Sequence, residues 1–395
     1  MRKRIFMFWS NTPDHQWLNP RWQTSLIIGI LLLPILLMAQ GDSLQQKIEY
    51  EGDFRFRVEQ DWRVRSPDGS YLEDRSRLRY RARAGIVYRP HNWIEVGLRL
   101  RTGDPKKQQD PQITLGDEFS GIPVSFERAY AGFTYKGFSA WLGKNTFPFK
   151  RQNELFWSDN VYPEGVAAGI DLPVKAGVLQ HLRVNTGHFI FATDGLSFSK
   201  DSYIQGIQLL SGWGQDRLSI FPGFFYFRQM PNIPDGNETF RLDYSIVHIG
   251  SRLNLMPKNG LTLEVDYYQN LENLSKNDSI PSAFVDQKKG LTLSMRIGDL
   301  DKRGHWFFRT SYNYQERYAA VDFLAQNDWA RWDYSSQGSL DGRLTNYKGL
   351  ELMAAYAITK NIDVQTRWFF VEQLIPLGVF RETNNRVRFD INISL

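Results

Sequence analysis

Arg77, Arg79, Arg81 and Arg83 put a guanidinium at every second position of one short stretch, with Leu78, Tyr80, Ala82 and Ala84 between them. A guanidinium stays ionised at any physiological pH, and its planar fork matches carboxylates and phosphates, so a row of four can attract, bind or pass anions. In a strand, alternate side chains point to opposite faces, which gathers the charges on one face and the apolar set on the other. Two architectures accept that division. A soluble sandwich would bury the Leu/Tyr/Ala face and show the arginines to bulk water, whereas a transmembrane barrel would show the apolar face to lipid and the arginines to a wet lumen.

The same phase recurs on both sides of this ladder. Asp53, Arg55, Arg57, Glu59 and Asp61 alternate with Phe54, Phe56 and Val58, and Glu95, Gly97, Arg99 and Arg101 alternate with Ile94, Val96, Leu98 and Leu100. The charges recur at about 180° per residue and not at about 100°, which excludes a helix. The candidate lining set is therefore Arg55, Arg57, Arg77, Arg79, Arg81, Arg83, Arg99, Arg101 and Arg128. A ladder of like charges repels itself, and Asp53, Glu59, Asp61 and Glu95 neutralise only part of it. Two consequences stay open: a passage that favours small anions, or a structural salt-bridged wall in a non-selective pore.

The elements that must position these residues are strands. The chain after residue 40 parses into about sixteen strand-like segments, near 51–64, 75–89, 93–102, 124–135, 138–147, 165–173, 178–191, 203–213, 216–228, 241–256, 261–270, 290–299, 305–316, 347–359, 361–373 and 385–395. Tight turns such as Pro90-His91-Asn92, Lys136-Gly137 and Lys360-Asn361 alternate with long polar links at 103–123, 148–164, 271–289 and 317–346. Short, long, short, long is the order of an up-and-down antiparallel barrel with trimmed periplasmic turns on one rim and long extracellular loops on the other. About 355 residues over sixteen strands give roughly 22 per strand and link, enough for a tilted membrane crossing. Trp62, Tyr88, Trp93, Tyr135, Phe138, Trp213, Trp306 and Trp368 fall in or near these segments, many close to their ends, where interfacial girdles sit.

Composition agrees and excludes several classes. The chain has 395 residues, no cysteine and 14% aromatic residues, so it has neither a disulfide framework nor a thiolate metal site. Arg2, Lys3 and Arg4, an apolar run from Leu26 to Met38, and Met38-Ala39-Gln40 before polar Gly41-Asp42-Ser43 predict a signal peptide over 1–40, leaving a barrel over 41–395. Residues 1–40 hold four cations and Asp14, so their removal takes the formal charge from +5 to about +2. Nucleic-acid binding then has no compositional support.

Four motifs, in this order, are similar to a known family: Gly52-Asp53-Phe54-Arg55-Phe56-Arg57, Arg99-Leu100-Arg101-Thr102-Gly103-Asp104-Pro105, Phe126-Glu127-Arg128-Ala129-Tyr130 and Tyr162-Pro163-Glu164-Gly165-Val166. They resemble the porin family of Bacteroidetes-type outer membranes. The resemblance implies a sixteen-stranded β-barrel exported to the cell outer membrane that lets small hydrophilic solutes diffuse through, with no cofactor and no bond made or broken. It also implies that the third long loop, residues 148–164, folds inward and narrows the pore, so that Lys150, Arg151, Glu154, Asp159 and Glu164 face the arginine wall across a transverse field. The implied partners are outer-membrane lipid, small hydrophilic or anionic solutes, further copies in a homotrimer, and the barrel-insertion machinery. That machinery would read the alternating terminal strand 387–395, where Leu395 stands in place of the usual aromatic.

Two other classes need weighing. An outer-membrane hydrolase would place Ser, His and a carboxylate together, and Asp243, Ser245 and His248 share one segment. In a strand, however, Asp243 and Ser245 face one way and His248 the other, so a triad fails locally. His91 and His305 fall at the expected periplasmic turns, His181 and His188 have no nucleophile partner in sequence, and no H-x-x-x-H or H-E-x-x-H metal pattern occurs. An adhesin would use the aromatic-rich link 317–346, with Tyr318, Phe323, Trp329, Trp332 and Tyr334, to bind a surface partner.

Overall fold

Strand β1 (Ile48–Arg65) sets the pattern: Arg57, Glu59 and Asp61 are buried, while Phe54 and Val58 are exposed. In a soluble protein that pattern would be inside out, whereas a barrel in lipid requires it. The computed structural model describes residues 47–395 except 107, 117, 175–176, 194–196, 198–199, 232–239, 258–259, 327, 330–331, 333–343 and 377. The expected signal peptide and Tyr334 lie outside the described residues.

The remaining strands are β2 (Arg75–His91), β3 (Ile94–Thr102), β4 (Ile113–Thr114), β5 (Val124–Tyr135), β6 (Phe138–Lys144), β7 (Glu164–Asp171), β8 (Leu179–Ala192) and β9 (Ser202–Trp213). They continue as β10 (Leu218–Pro231), β11 (Arg241–Met256), β12 (Leu261–Asn270), β13 (Lys289–Gly298), β14 (Trp306–Gln315), β15 (Tyr347–Ala357), β16 (Ile362–Gln373) and β17 (Thr383–Ser394). Sixteen of them pair antiparallel with their chain neighbours, and β1 closes on β17 from Asp53 opposite Ser394 to Arg65 opposite Thr383. Closure removes every sheet edge, which a membrane demands because lipid satisfies no backbone donor. The extra strand is the two-residue β4, which lies in the expected long link 103–123 and pairs with Arg79 and Tyr80 of β2. The turns at Lys136–Gly137 and 358–361 and the long links 103–123, 145–163, 271–288 and 316–346 alternate between the two rims, as the up-and-down reading requires.

The inward face is not charged all round: over β8 to β12 it is largely aromatic and apolar, interrupted by buried Asn185, Gln208, His248, Glu264 and Asp266. Phe189, Phe221, Phe225, Phe227, Tyr244, Ile246 and Tyr268 are all buried there. They do not line water. All but Phe221, whose ring lies 5.8 Å from that of His248, meet Phe147, Phe149, Phe156 and Trp157 of the link 145–163, and Tyr318, Val321 and Phe323 of the link 316–346, in one apolar cluster inside the barrel. The interior therefore has two walls, a charged one over β14–β17 and β1–β5 and an aromatic one over β8–β12.

Candidate functional site

The charged wall is built of shared ion pairs. The Asp53 carboxylate accepts from Arg81 at 2.6 Å, Arg83 at 2.7 Å and Arg99 at 2.6 Å. Glu127 lies 3.4 Å from Arg83 and 3.1 Å from Arg99. Glu59 pairs with Arg77 and, at 2.5 Å, with Arg388; Asp61 pairs with Arg75 at 2.6 Å and Arg386 at 2.5 Å. Asp390 takes Arg57 at 2.6 Å and lies 3.8 Å from Arg55, and Glu351 takes Arg367 at 2.6 Å and Arg309 at 3.0 Å.

The predicted lining residues are thus brought together, with partners that the sequence reading missed. Arg79 donates to Asp110 at 2.6 Å, Arg128 pairs with Glu51, and Arg101 donates to the Gln108 carbonyl at 2.6 Å. Glu95, expected to neutralise the ladder, instead pairs with Arg89 at 3.0 Å near the β2–β3 turn. Arg386, Arg388 and Asp390 carried a usable signal, because β17 alternates as cleanly as β2. Arg309, Glu351 and Arg367 are isolated charges in otherwise ordinary strands and carried none.

The aromatic wall holds the link 145–163 inside the barrel. Phe149 sits edge-on to Phe225 with ring centres 5.0 Å apart, and Phe147 stacks on Trp157 at 4.1 Å. Room for this comes from Gly206, where an added Cβ would meet the Phe149 ring at 2.5 Å. Side chains from the wall also satisfy the loop's backbone. Gln208 accepts from Lys150 N at 2.7 Å and donates to its carbonyl at 3.2 Å, and Asn185 donates to the Pro148 carbonyl at 3.1 Å. Asp266, itself 2.9 Å from His248 Nε2, holds loop side chains instead, accepting from Gln152 Nε2 at 3.0 Å and Asn153 Nδ2 at 2.7 Å. Buried polar groups, backbone and side chain alike, need such partners, so these amides and this acid fix the loop's course.

A second link, 316–346, folds in beside it. Ser158 N donates to the Leu324 carbonyl at 2.8 Å, and Gln109 of the link 103–123 donates to the Ala325 carbonyl at 2.6 Å. Tyr318, Phe323, Trp329 and Trp332 are buried, so the aromatics considered for surface adhesion pack inward. Asp328 reaches the charged wall, pairing with Arg388, with Arg367 at 2.8 Å and with Arg57 at 4.0 Å.

Between the two loops and β14–β16 lies a cavity of about 370 Å³, lined among others by Lys150, Arg151, Glu154, Asp159, Arg309, Asp328, Trp329, Glu351 and Arg367. Four of the five predicted loop residues therefore meet in one place, opposite Arg309 and Arg367 and not opposite the β2–β3 ladder. Glu164 stands apart: it opens β7 and pairs with Lys144 at 2.7 Å. Arg151 and Asp159 pair with each other at 2.5 Å. Burial, with the negative charges of Asp159 and Asp328, pushes the Glu154 carboxyl up to about 7. Burial alone would also raise Asp328, but Arg388, Arg367 and Arg57 outweigh it and hold that carboxyl well below the usual range.

On β11, Asp243 and Ser245 face away from buried His248, as alternation requires. Asp243 accepts from Tyr226 at 3.2 Å and Ser245 donates to Glu272 at 2.5 Å. No group of three His, Asp or Glu that could hold a metal ion occurs among the described residues.

A closed sixteen-stranded barrel with an inward-folded third loop invites comparison with known membrane channels. A family model described as "Putative porin" matches residues 43–214 and 240–392. The chain belongs to that porin family. No curated protein matches it. Among solved structures, OprB of Pseudomonas putida is similar at 13% identity and a TM-score of 0.55, over 89% of this chain and 95% of that one. A multiple mutant of the Rhodopseudomonas blastica porin is similar at 12% identity and a TM-score of 0.51, over 88% of this chain and 100% of that one. At these identities the structures speak for the fold, which is the porin barrel.

Proposed function

We propose that this porin is a passive diffusion channel of the outer membrane, that small hydrophilic solutes cross it through a lumen lined by arginines, and that it favours anions. The observation that carries the reading is the sharing of acids on the charged wall. Asp53, Glu127, Glu59, Asp61, Glu351 and Asp390 each serve two or three arginines, so guanidiniums outnumber carboxylates along the whole surface. A surplus of fixed positive charge in a low-dielectric channel raises the local concentration of anions and lowers that of cations.

Size exclusion falls to the links 145–163 and 316–346, which the aromatic wall and the backbone-binding side chains keep in place. Lys150, Arg151, Glu154 and Asp159 then set the charge that a solute meets at the narrowest level, with Arg309 and Arg367 opposite. Residues 1–40 direct export and are removed, and the terminal strand 387–395 is the segment that the insertion machinery reads. Swelling of liposomes carrying the refolded mature chain tests the channel. Small neutral polyols are expected to enter at rates that fall with their size, and liposomes that stay sealed to the smallest polyol would contradict the reading.

A further inference from the structure

Asp328 comes from a loop, yet it is bound the way a ligand is bound. Its carboxylate meets Arg388, Arg367 and Arg57, and each of these already has a wall partner: Glu59 for Arg388, Glu351 for Arg367, Asp390 for Arg57. The buried Phe369 ring backs two of them, with the Arg367 guanidinium 4.9 Å and the Arg388 guanidinium 5.6 Å from its centre. The three cations are thus held from behind by the barrel and owe their positions to strands β1, β16 and β17. Arg388 Nη1 is buried and meets the Asp328 carboxylate, while its Nε holds Glu59. Both Asp328 and Arg367 border the cavity of about 370 Å³, which gives a small solute space beside them.

We propose that Arg57, Arg367 and Arg388 form a preorganised binding site for the carboxylate of a small anionic solute, and that Asp328 fills it as an internal stand-in. Planar forks matched to a carboxylate, backed by an aromatic face and already desolvated, lose little on exchanging one carboxylate for another. An entering carboxylate competes with Asp328, so the wild-type site binds weakly and releases quickly, which is what conduction through a site requires. The inference deepens the channel reading and depends on it for the solute's route, but not for the site itself.

The test is acetate titration of the refolded mature chain, in detergent for fluorescence and in a planar bilayer for current, at constant ionic strength with chloride as the matched control. Two readouts are used: the emission of Trp329, whose ring centre lies 5.6 Å from that of Phe369, with Trp329→Phe as the reference, and block of single-channel current. Asp328 is outside the strands, so Asp328→Ala leaves the barrel to fold; the fluorescence of the remaining tryptophans and heat-modifiable migration check this. Asp328→Ala, freed of its competitor, is expected to half-saturate with acetate at a concentration at least tenfold lower than the wild type, read by current block and by the pattern of emission change. Adding Arg388→Gln is expected to abolish that gain. Equal titration of wild type and Asp328→Ala, or a gain that survives loss of Arg388, or an equal response to chloride, would overturn the site. A chain that binds acetate in this pattern but never conducts would leave the site standing and remove the channel.

Discussion

The two walls of the barrel interior solve opposite problems with the same backbone. Over β14–β17 and β1–β5 the inward residues are charged, and their mutual repulsion is contained by carboxylates that each serve more than one arginine. Over β8–β12 the inward residues are largely aromatic, and apolar surface that would face water is covered by the links 145–163 and 316–346. Burying apolar area is favourable by about 25 cal/mol per Å² whatever the contact geometry, so the aromatic wall grips loops. Ion pairs gain little net energy but hold charges at fixed points, so the charged wall fixes where charge sits in the interior. On the proposed function, selectivity and constriction fall to different strands.

Uncoupling the walls gives the largest expected effect. Phe149→Ala removes the ring packed on Phe225 and Phe189, and truncating a buried Phe costs roughly 3–5 kcal/mol. That cost falls on loop docking and not on the barrel, so single-channel conductance should rise severalfold while heat-modifiable migration is kept. An unchanged conductance would mean that the loop does not constrict. Gly206→Val attacks the same contact from the strand side and should also raise conductance, because its side chain takes the volume that Phe149 occupies.

On the charged wall, Glu59→Gln leaves Arg388 and Arg77 without their shared carboxylate. Removing one partner from a buried pair costs roughly 3–5 kcal/mol, less where water reaches the pair, so the unfolding midpoint in urea should fall while anion preference rises. A fall in stability with no change in selectivity would make the wall purely structural.

A smaller effect is expected from pH. Glu154 titrates at about 7 against an ordinary 4.5, with Asp159, Asp328, Arg151 and Arg367 around it. Its raised value means that the charged form is disfavoured in place: the stabilising contribution is complete below pH 4.5 and is lost as pH rises through 7. Conduction should follow the same sign. Anion preference should decline as pH passes from 6 to 8 and Glu154 gains its charge, and Glu154→Gln should flatten that decline. Least of all should come from Glu164→Ala, whose exposed pair with Lys144 is worth about 0–1 kcal/mol and does not line the cavity of about 370 Å³; neither conductance nor selectivity should move.

What the sequence revealed follows the same division. Where one face is polar and the other apolar, period-two alternation places strands to within about three residues, as for 51–64 against β1, and the expected 241–256 and 261–270 coincide with β11 and β12. The arginine ladder was legible for that reason. Phe221-Pro222-Gly223-Phe224-Phe225-Tyr226-Phe227 is apolar on both faces, so the strand is visible but its aromatic inner wall is not. At Arg128 a register shift opposite Arg99 and Leu100 turns both Glu127 and Arg128 inward, which strict alternation forbids. Arg309, Glu351 and Arg367 become a set only through the pairing of β14, β15 and β16, and Asp328 sits in a link with no periodicity to read.

The most direct measurement is the reversal potential of single channels of the refolded mature chain in a planar bilayer under a potassium chloride gradient, alongside the Arg79→Ala, Arg81→Ala double variant. Stable conductance steps are expected, with a reversal potential displaced toward that of chloride and a smaller displacement in the variant. A folded, heat-modifiable barrel that gives no steps, or steps that reverse toward potassium, would contradict an anion-favouring channel lined by arginines.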